Sequence, residues 1–298
     1  MNSEGISRDK TTKEAWSSIG DIRCELAENP LWHAAEQCLY WTDISKGRIY
    51  RYDPNSGITE QVYEGKTVGG FTIQADHTLL LFMAEGAIAQ LKHGKLNTLI
   101  DGIPEERSSR FNDVIADPRG RVFCGTMRTE EHLGRLYRLD TDGTLHKLLD
   151  TVHCSNGLAF SGDLQYLYYT DSHVHAIYRF NYSERTGEIT NQELVIRAAE
   201  ADGYPDGLTL DADGHLWSAR WGGGCIIRYS PQHIEERRME LPVKLVSSLT
   251  FGGRDFNDIY VTSAQDTELA DVDPANGAVF RLRGGIRGVP EFPSRICI

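Results

Sequence analysis

Short runs of aromatic and β-branched residues return at regular intervals along the chain. Six runs share this form: LYWTD from Leu39, LLLF from Leu79, VFCGT from Val122, LYYTD from Leu167, LWSAR from Leu216 and IYVTS from Ile259. Their first residues are 40 to 49 positions apart, and turns rich in Gly, Asp or Asn precede most of them. This spacing predicts a strand that recurs once in each of six similar units.

Two further runs accompany each of these strands. One follows it: RIYRYDP from Arg48, AIAQL from Ala87, RLYRLD from Arg135, AIYRFN from Ala176, CIIRYSP from Cys225 and AVFRLR from Ala278. The other precedes it and reads NPLW, GFTI, DVIA, GLAF, GLTL and SLTF in chain order. Six units with several short strands and no convincing long helix predict an all-β fold, a six-bladed β-propeller. A β-sandwich is the alternative, but it does not require sixfold recurrence.

The ends of the chain differ from this repeating part. Residues 1–15 are polar, which predicts a flexible N-terminal tail, and residues 16–298 are predicted to form a single propeller domain. The apolar runs at 22–27 and 294–298 are candidates for closing the ring by completing one blade from both ends. Closure would remove exposed sheet edges.

Composition narrows the functional classes. The formal net charge is −12, from 31 Lys and Arg against 43 Asp and Glu, and no basic run is present, so a nucleic-acid partner is not expected. No run is long enough to span a membrane and the first residues lack the apolar centre of a signal peptide, so a cytoplasmic protein without membrane contact is predicted. The six cysteines form no CxxC pair, which favours reduced, mostly buried thiols. Monomer and small homo-oligomer stay open.

The residues just before the six innermost segments should lie at equivalent heights around one mouth of the central channel. They are Glu28, Gly69, Asn112, Asn156, Asp206 and Ser247. Four of the six carry oxygen-bearing side chains suited to coordination, and such groups would repel or stay unsatisfied unless a cation, ordered water or a polar ligand lay between them. All-oxygen ligation suits Ca²⁺, Mg²⁺ or Mn²⁺, and Zn²⁺ and Fe²⁺ stay open. Taken singly, each Asn or Asp is more simply explained as a turn residue at the start of a strand, but their coincidence at aligned positions favours a shared ligand.

Several strings built on these residues carry a family resemblance. They are AENPLW at 27–32, RFNDVIADPRGRVFCGTM at 110–127, SNGLAF at 155–160, YPDGLTLDADGHLW at 204–217 and RWGGGCIIRYSP at 220–231. In combination they resemble the senescence marker protein/gluconolactonase/regucalcin family of sugar lactonases, from about residue 22 to about residue 285. The resemblance implies a six-bladed propeller, one divalent metal in the central channel and hydrolysis of aldonolactones to aldonic acids.

The resemblance also implies roles for individual residues. The metal ligands fall on Glu28, Asn156 and Asp206. The substrate-binding residues fall on Arg110 and Asn112, and on Glu130, for which Glu131 is an alternative in the same loop. The first motif has Asn29 where the family usually has Gly, which should alter a turn rather than a ligand, because asparagine tolerates left-handed backbone angles.

A mechanism follows as a hypothesis. The metal would polarise the carbonyl of a sugar lactone, and either Asp206 as general base or metal-bound hydroxide would activate water. Tyr204 and Trp221 could form an apolar wall, although packing is an equal alternative, and His173 and His175 are expected to be packing residues rather than ligands. The other readings are a non-catalytic calcium-binding regulator, and an aryl esterase or organophosphate hydrolase on the same propeller.

Overall fold

Six four-stranded antiparallel sheets make up the computed structural model, which describes residues 15–265 and 273–297. In five of the sheets the four strands follow one another directly along the chain, from the innermost strand outwards. Each of the three recurring runs occupies the same place in every sheet: first, second and third strand from the channel. The prediction of an all-β six-bladed propeller is confirmed. Of the predicted 1–15 tail, residues 1–14 lie outside the described residues.

The strands are numbered β1 to β24 in chain order, and the blades are numbered from the first complete one. Blade 1 contains Ala27–His33 (β2), Cys38–Asp43 (β3), Arg48–Asp53 (β4) and Ile58–Glu64 (β5); blade 2 contains Val68–Ile73 (β6), Leu79–Met83 (β7), Ile88–Lys92 (β8) and Lys95–Ile100 (β9). Blade 3 contains Phe111–Ala116 (β10), Val122–Thr126 (β11), Gly134–Leu139 (β12) and Leu145–Val152 (β13); blade 4 contains Ser155–Phe160 (β14), Tyr166–Asp171 (β15), Ala176–Tyr182 (β16) and Ile189–Arg197 (β17). Blade 5 contains Tyr204–Leu210 (β18), Leu216–Trp221 (β19), Cys225–Tyr229 (β20) and Glu235–Glu240 (β21). Blade 6 contains Val246–Gly252 (β22), Asp258–Ser263 (β23), Val279–Arg283 (β24) and Ser17–Ile19 (β1), and three short 3-10 helices span Pro104–Glu106, Ser172–Val174 and Glu200–Asp202.

The ring is closed by a different segment from the one that the sequence suggested. Strand β1 (Ser17–Ile19) pairs antiparallel with β24 and becomes the outermost strand of blade 6. The expected strand at 22–27 instead leads into blade 1, and the described part of the 294–298 run, residues 294–297, does not pair with the N-terminal part. Instead, Ser294 makes a parallel bridge with Gln74, and Ile296 is buried between blades 2 and 3. The C-terminal segment therefore crosses the channel and fastens to the opposite side of the ring.

The apolar core is divided among the blades. The described residues form six buried clusters, one at each contact between neighbouring blades. Trp217, for example, contacts Phe251 edge-on between blades 5 and 6, and Trp32 stacks on Tyr260 where blade 6 meets blade 1. Because the core lies between the sheets, the inner strands are free to carry polar groups along the axis.

Two other sequence expectations concern the chain as a whole. All six cysteines are free, and four of them are buried. Among the described residues, no helix has both the length and the apolar character that crossing a membrane would require.

Candidate active site

All six innermost strands are irregular at the same point. In β2 the register moves from Glu28 opposite Thr42 to Leu31 opposite Tyr40, so that one extra residue is accommodated. The same one-residue excess occurs in β6, β10, β14, β18 and β22. A bulge of this kind interrupts regular pairing and re-aims the side chains beside it. The ring positions predicted from the sequence lie at these bulges.

Five of the predicted site residues border one cavity of about 290 Å³ at the N-terminal ends of the inner strands. They are Glu28, Arg110, Asn112, Asn156 and Asp206, which come from blades 1, 3, 4 and 5. Much of the remaining wall is apolar or aromatic, and it includes Leu26, Met127, Tyr204 and Trp221. The structure thus brings together residues that are up to 178 positions apart in the chain.

Three of the residues directly after the ring positions border a second cavity. Asn29, Asp113 and Ser248 line this cavity of about 330 Å³, at the other end of the inner strands, which residues 290–293 also border. Successive residues of a strand point to opposite sides, so in β2 and β10 the ring residue borders the first cavity and the residue after it borders the second. Asn29 has the left-handed φ of 48°, and its Oδ1 accepts a hydrogen bond of 2.5 Å from the backbone N–H of Phe71 in blade 2.

The other two ring positions bring neighbouring inner strands close together. A Cβ atom on Gly69 would lie 1.8 Å from the carbonyl oxygen of Phe111, so only glycine fits there. Ser247 donates a hydrogen bond of 2.6 Å to the carbonyl oxygen of Ala27, across the contact between blades 6 and 1. Neither residue borders the 290 Å³ cavity.

The structure does not place Glu130 in this cavity. Glu130 is exposed on the loop between β11 and β12, and Glu131, its alternative, borders a separate surface depression with Glu105 and Arg135. We therefore expect Glu130→Gln to leave KM and kcat within about twofold of the wild type, as for other exposed substitutions. Steady-state kinetics with an aldonolactone would check this, with Glu28→Gln, which we expect to be inactive, as the comparison. A several-fold rise in KM for Glu130→Gln would show that the loop reaches the substrate.

Aspartates at the ends of two repeated strands position the candidate ligands. Asp43, the last residue of β3, accepts hydrogen bonds from the backbone N–H groups of Glu25 and Leu26, at 3.2 and 3.1 Å. Asp171, the last residue of β15, does the same for residues 153 and 154, both at 2.9 Å. Each carboxylate holds the loop that enters the inner strand of its own blade, and those strands carry Glu28 and Asn156. This shared role accounts for the Asp that ends both the LYWTD and the LYYTD runs.

The acidic groups near the axis are buried and repel one another. Burial, followed by the charges of Asp206 and Asp113, raises the pKa of Glu28 well above its ordinary value. Burial and the charge of Asp113 likewise raise the pKa of Asp206, and burial raises the pKa of Asp113 to about 7. Arg110 is the nearby cation, and its own pKa is lowered by burial. Three carboxyl groups therefore share one guanidinium, and the Oδ1 atom of Asp206 has no hydrogen-bond partner.

The amide side chains are held by a directed network. Arg110 donates to Oδ1 of Asn112 at 2.5 Å, and Nδ2 of Asn112 donates to Oδ1 of Asn156 at 2.6 Å and to the carbonyl oxygen of Ser155 at 2.7 Å. Both N–H bonds of Asn112 are therefore used within the protein. Asn112 can therefore offer a substrate only a remaining lone pair.

Several residues that border the cavity were not singled out for it from the sequence. Ser172 accepts a hydrogen bond of 2.7 Å from Nδ2 of Asn156, and His173 borders the same cavity, although packing was expected of it. His175 stacks on Tyr204 at 4.4 Å. Cys154 also borders the cavity, and burial raises its pKa to about 12, which argues against a thiolate nucleophile. No motif identifies Ser172, because its partner lies in another strand.

The candidate donor atoms in the cavity are oxygens, which suit a hard divalent cation rather than a metal bound by thiolates. Within the described ranges, no cluster of three or more His, Cys, Asp or Glu side chains is placed to hold a metal. The candidate set has two carboxylates, Glu28 and Asp206, and its third member is the carboxamide of Asn156. Buried carboxylates without enough positive partners, together with the free Oδ1 of Asp206, leave a place for a divalent cation.

Comparisons with a family model, with protein sequences and with solved structures identify the same protein family. The family model described as SMP-30/Gluconolactonase/LRE-like region matches residues 26–265. Pentonolactonase XacC from Haloferax volcanii is 41% identical over 285 residues, which cover 93% of this chain and 97% of that protein. 6-Deoxy-6-sulfogluconolactonase from Pseudomonas putida is 34% identical over 273 residues, which cover 89% of this chain and 94% of that protein. The solved structure of the calcium-binding protein regucalcin from Agrobacterium tumefaciens has a TM-score of 0.88 at 26% identity, covering 95% of this chain and 98% of that one.

Proposed function

The chain belongs to the SMP-30/gluconolactonase/LRE-like family, and we propose that it hydrolyses a sugar lactone to the aldonic acid with the help of one divalent cation. The observation that carries the proposal is the convergence of Glu28, Asn156 and Asp206 with Arg110 and Asn112 on one cavity. The names of the two lactonase relatives support a lactone as the substrate class. A volume of about 290 Å³ is near the lower end of small-molecule sites, which begin at roughly 300 Å³.

The proposed cation ligands are Glu28, Asn156 and Asp206. Hard oxygen donors of this kind suit Ca²⁺, Mg²⁺ or Mn²⁺, and Zn²⁺ and Fe²⁺ stay in the set to be tried. The relative described as a calcium-binding protein supports a divalent cation without identifying the one used by this chain. When bound, the cation supplies Lewis-acid polarisation of the lactone carbonyl and stabilises the negative charge that develops on its oxygen.

The substrate would be held by Arg110 and by the aromatic wall. The guanidinium of Arg110 has donors beyond those that it gives to Asn112 and Phe111, and these can bond the ring oxygen or hydroxyls of the substrate. Tyr204 and Trp221 lie opposite each other in the register of β18 and β19 and present apolar surface to the C–H face of a sugar ring. This combination fits a hydroxyl-rich ring better than an aryl ester.

Asp206 is the proposed general base. Its carboxylate has two oxygens, and Oδ1 has no hydrogen-bond partner in the protein, so the oxygen that does not hold the cation can accept a proton from water. The water oxygen then bonds to the carbonyl carbon, the bond from that carbon to the ring oxygen breaks, and the proton passes to the departing ring oxygen. Glu28 and Asn156 orient the reaction without exchanging protons.

Cation affinity should depend on pH in a definite direction. Because the pKa values of Glu28 and Asp206 are raised, these groups keep protons to a higher pH than ordinary carboxyl groups, and a cation must displace those protons. We expect affinity to fall as the pH is lowered, with proton release on binding. Isothermal titration calorimetry in buffers with different ionisation enthalpies would measure both. Affinity that does not change with pH, with no proton release, would contradict the assigned ligands.

The proposed function is tested by removing and restoring the cation. The protein is treated with chelator, each of the five cations is added back separately, and acid release is followed with a panel of pentono- and hexonolactones, aryl esters and an organophosphate. We expect cation-dependent hydrolysis of at least one aldonolactone. Cation binding without turnover of any substrate would favour a calcium-binding regulator, and turnover only of the aryl ester or organophosphate would favour the other hydrolase.

A further inference from the structure

We propose that Ser172 is a positioning residue that sets which face of the Asn156 carboxamide is turned to the cation; this inference rests on the proposed function. The residue follows β15 at the start of the Ser172–Val174 3-10 helix, and it is buried beside the cavity. It carries no charge and is not among the proposed ligands. Its role follows from the direction of the hydrogen bonds that it makes.

The hydroxyl of Ser172 has one proton, and that proton is committed. It is donated to the carbonyl oxygen of Pro205, the residue before Asp206, at 2.5 Å. The Oγ atom can therefore only accept from Asn156, and a carboxamide can satisfy it only with its nitrogen, which lies 2.7 Å away. The second N–H of Asn156 faces the sulfur of Cys154 at 3.7 Å.

The other end of the network imposes the same direction. Arg110 has donors only, so Asn112 must turn its oxygen towards the guanidinium and its nitrogen towards Asn156. The network thus begins at an obligatory donor and ends at an obligatory acceptor, the carbonyl oxygen of Pro205. Both carboxamides between these ends have one permitted orientation, which places the oxygen of Asn156 on the side away from Ser172, with a lone pair free.

The network also links two proposed ligands that come from different blades. Asn156 lies on β14 of blade 4, and Pro205 and Asp206 lie on β18 of blade 5. Ser172 contacts both strands through side-chain bonds, so it holds the carboxamide of Asn156 in register with the backbone next to Asp206. A carboxamide turned by 180° would present N–H groups to a cation, which repel it.

The test compares two buried serines that each donate to one backbone carbonyl. Ser263 is the matched control: its Oγ donates to the carbonyl oxygen of Ala278 at 2.7 Å, in blade 6 and outside the cavity. We expect Ser172→Ala to weaken the binding of Ca²⁺ or Mn²⁺ about 10- to 100-fold, the range typical of groups that orient ligands, with Ser263→Ala unchanged. Ser172→Thr, which keeps the hydroxyl, should bind the cation with the affinity of the wild type. Calorimetric titration with the cation alone measures all three.

A double-mutant comparison isolates the orientation of the carboxamide. The Asn156→Asp variant has two equivalent oxygens, so no orientation can be wrong, and Ser172→Ala should weaken cation binding in that background by less than about threefold. An equal loss in both backgrounds, a loss in Ser263→Ala as large as in Ser172→Ala, or wild-type affinity in Ser172→Ala would overturn the inference. Failure of the wild type to bind any cation would instead reject the proposed function.

Discussion

Replacing Asp206 by asparagine should abolish cation binding and lower kcat/KM by about 10³-fold or more, the range lost with a general base. At the same time, the variant free of cation should unfold at the same temperature as the wild type or higher. Burial and the charge of Asp113 raise the pKa of Asp206, so its ionised form costs folding free energy above the ordinary pKa of an aspartate. Asparagine removes that cost. Calorimetric titration, kinetics and thermal unfolding check the three parts.

The matched control is Asp113→Asn. Asp113 is also a buried carboxyl on an inner strand, with its pKa raised to about 7 by burial, but it borders the other cavity. This variant should be stabilised in the same way and should still bind the cation. Added cation should raise the unfolding temperature of the wild type and of Asp113→Asn but not of Asp206→Asn, because a ligand stabilises only the state that binds it. Retained activity in Asp206→Asn would remove Asp206 from the reaction.

Replacing Arg110 by glutamine should have the second-largest effect and should separate substrate binding from cation binding. A charged hydrogen bond is worth about 1.5–3 kcal/mol, so kcat/KM should fall roughly 10- to 150-fold. Cation affinity should stay the same or rise, because the substitution removes a positive charge that faces Glu28 and Asp206, while Ser172 still fixes the orientation of the Asn156 carboxamide. Kinetics over a range of lactone concentrations would show whether KM or kcat carries the loss.

The control for Arg110 is Arg119→Gln. Arg119 is 61% exposed and pairs with Glu184 on the surface at 2.9 Å, so its loss should change neither kinetics nor cation binding. If Arg110→Gln lost the cation together with activity, the guanidinium would be acting through the ligand network and not on the substrate. Unchanged kinetics would exclude Arg110 from the site.

Much of the fold was predictable because each blade repeats the same local pattern. Strands such as β3 and β15 contain the LYWTD and LYYTD runs, and their apolar residues face the clusters between blades. The outermost strands were not identified, because residues such as those of β9 and β21 are exposed and polar and carry no apolar period. The prediction of the strand that closes the ring was wrong for the same reason, because β1 has three residues, of which only Ile19 is buried.

The candidate site was predictable only as far as the repeat extends. Glu28, Asn156 and Asp206 occupy equivalent places in their blades, so alignment of the runs places them at one height of the channel. Glu130 lies in the loop between the second and third strands of blade 3, which differs in length from the same loop in the other blades, and the structure leaves it exposed, outside the cavity. No sequence motif indicates that Ser172 borders the 290 Å³ cavity or that Asp113 borders the other one.

By itself, the sequence determined the number of blades, the order of their strands and the ring of polar positions, because burial of apolar side chains repeats at short range and leaves a period in the chain. Only the tertiary structure decided which segment closes the ring, which side of each bulge a residue faces, and how the amides of Asn112 and Asn156 are turned. Those outcomes depend on donors, acceptors and charges contributed by strands far apart in the chain, and no local pattern records which of them meet.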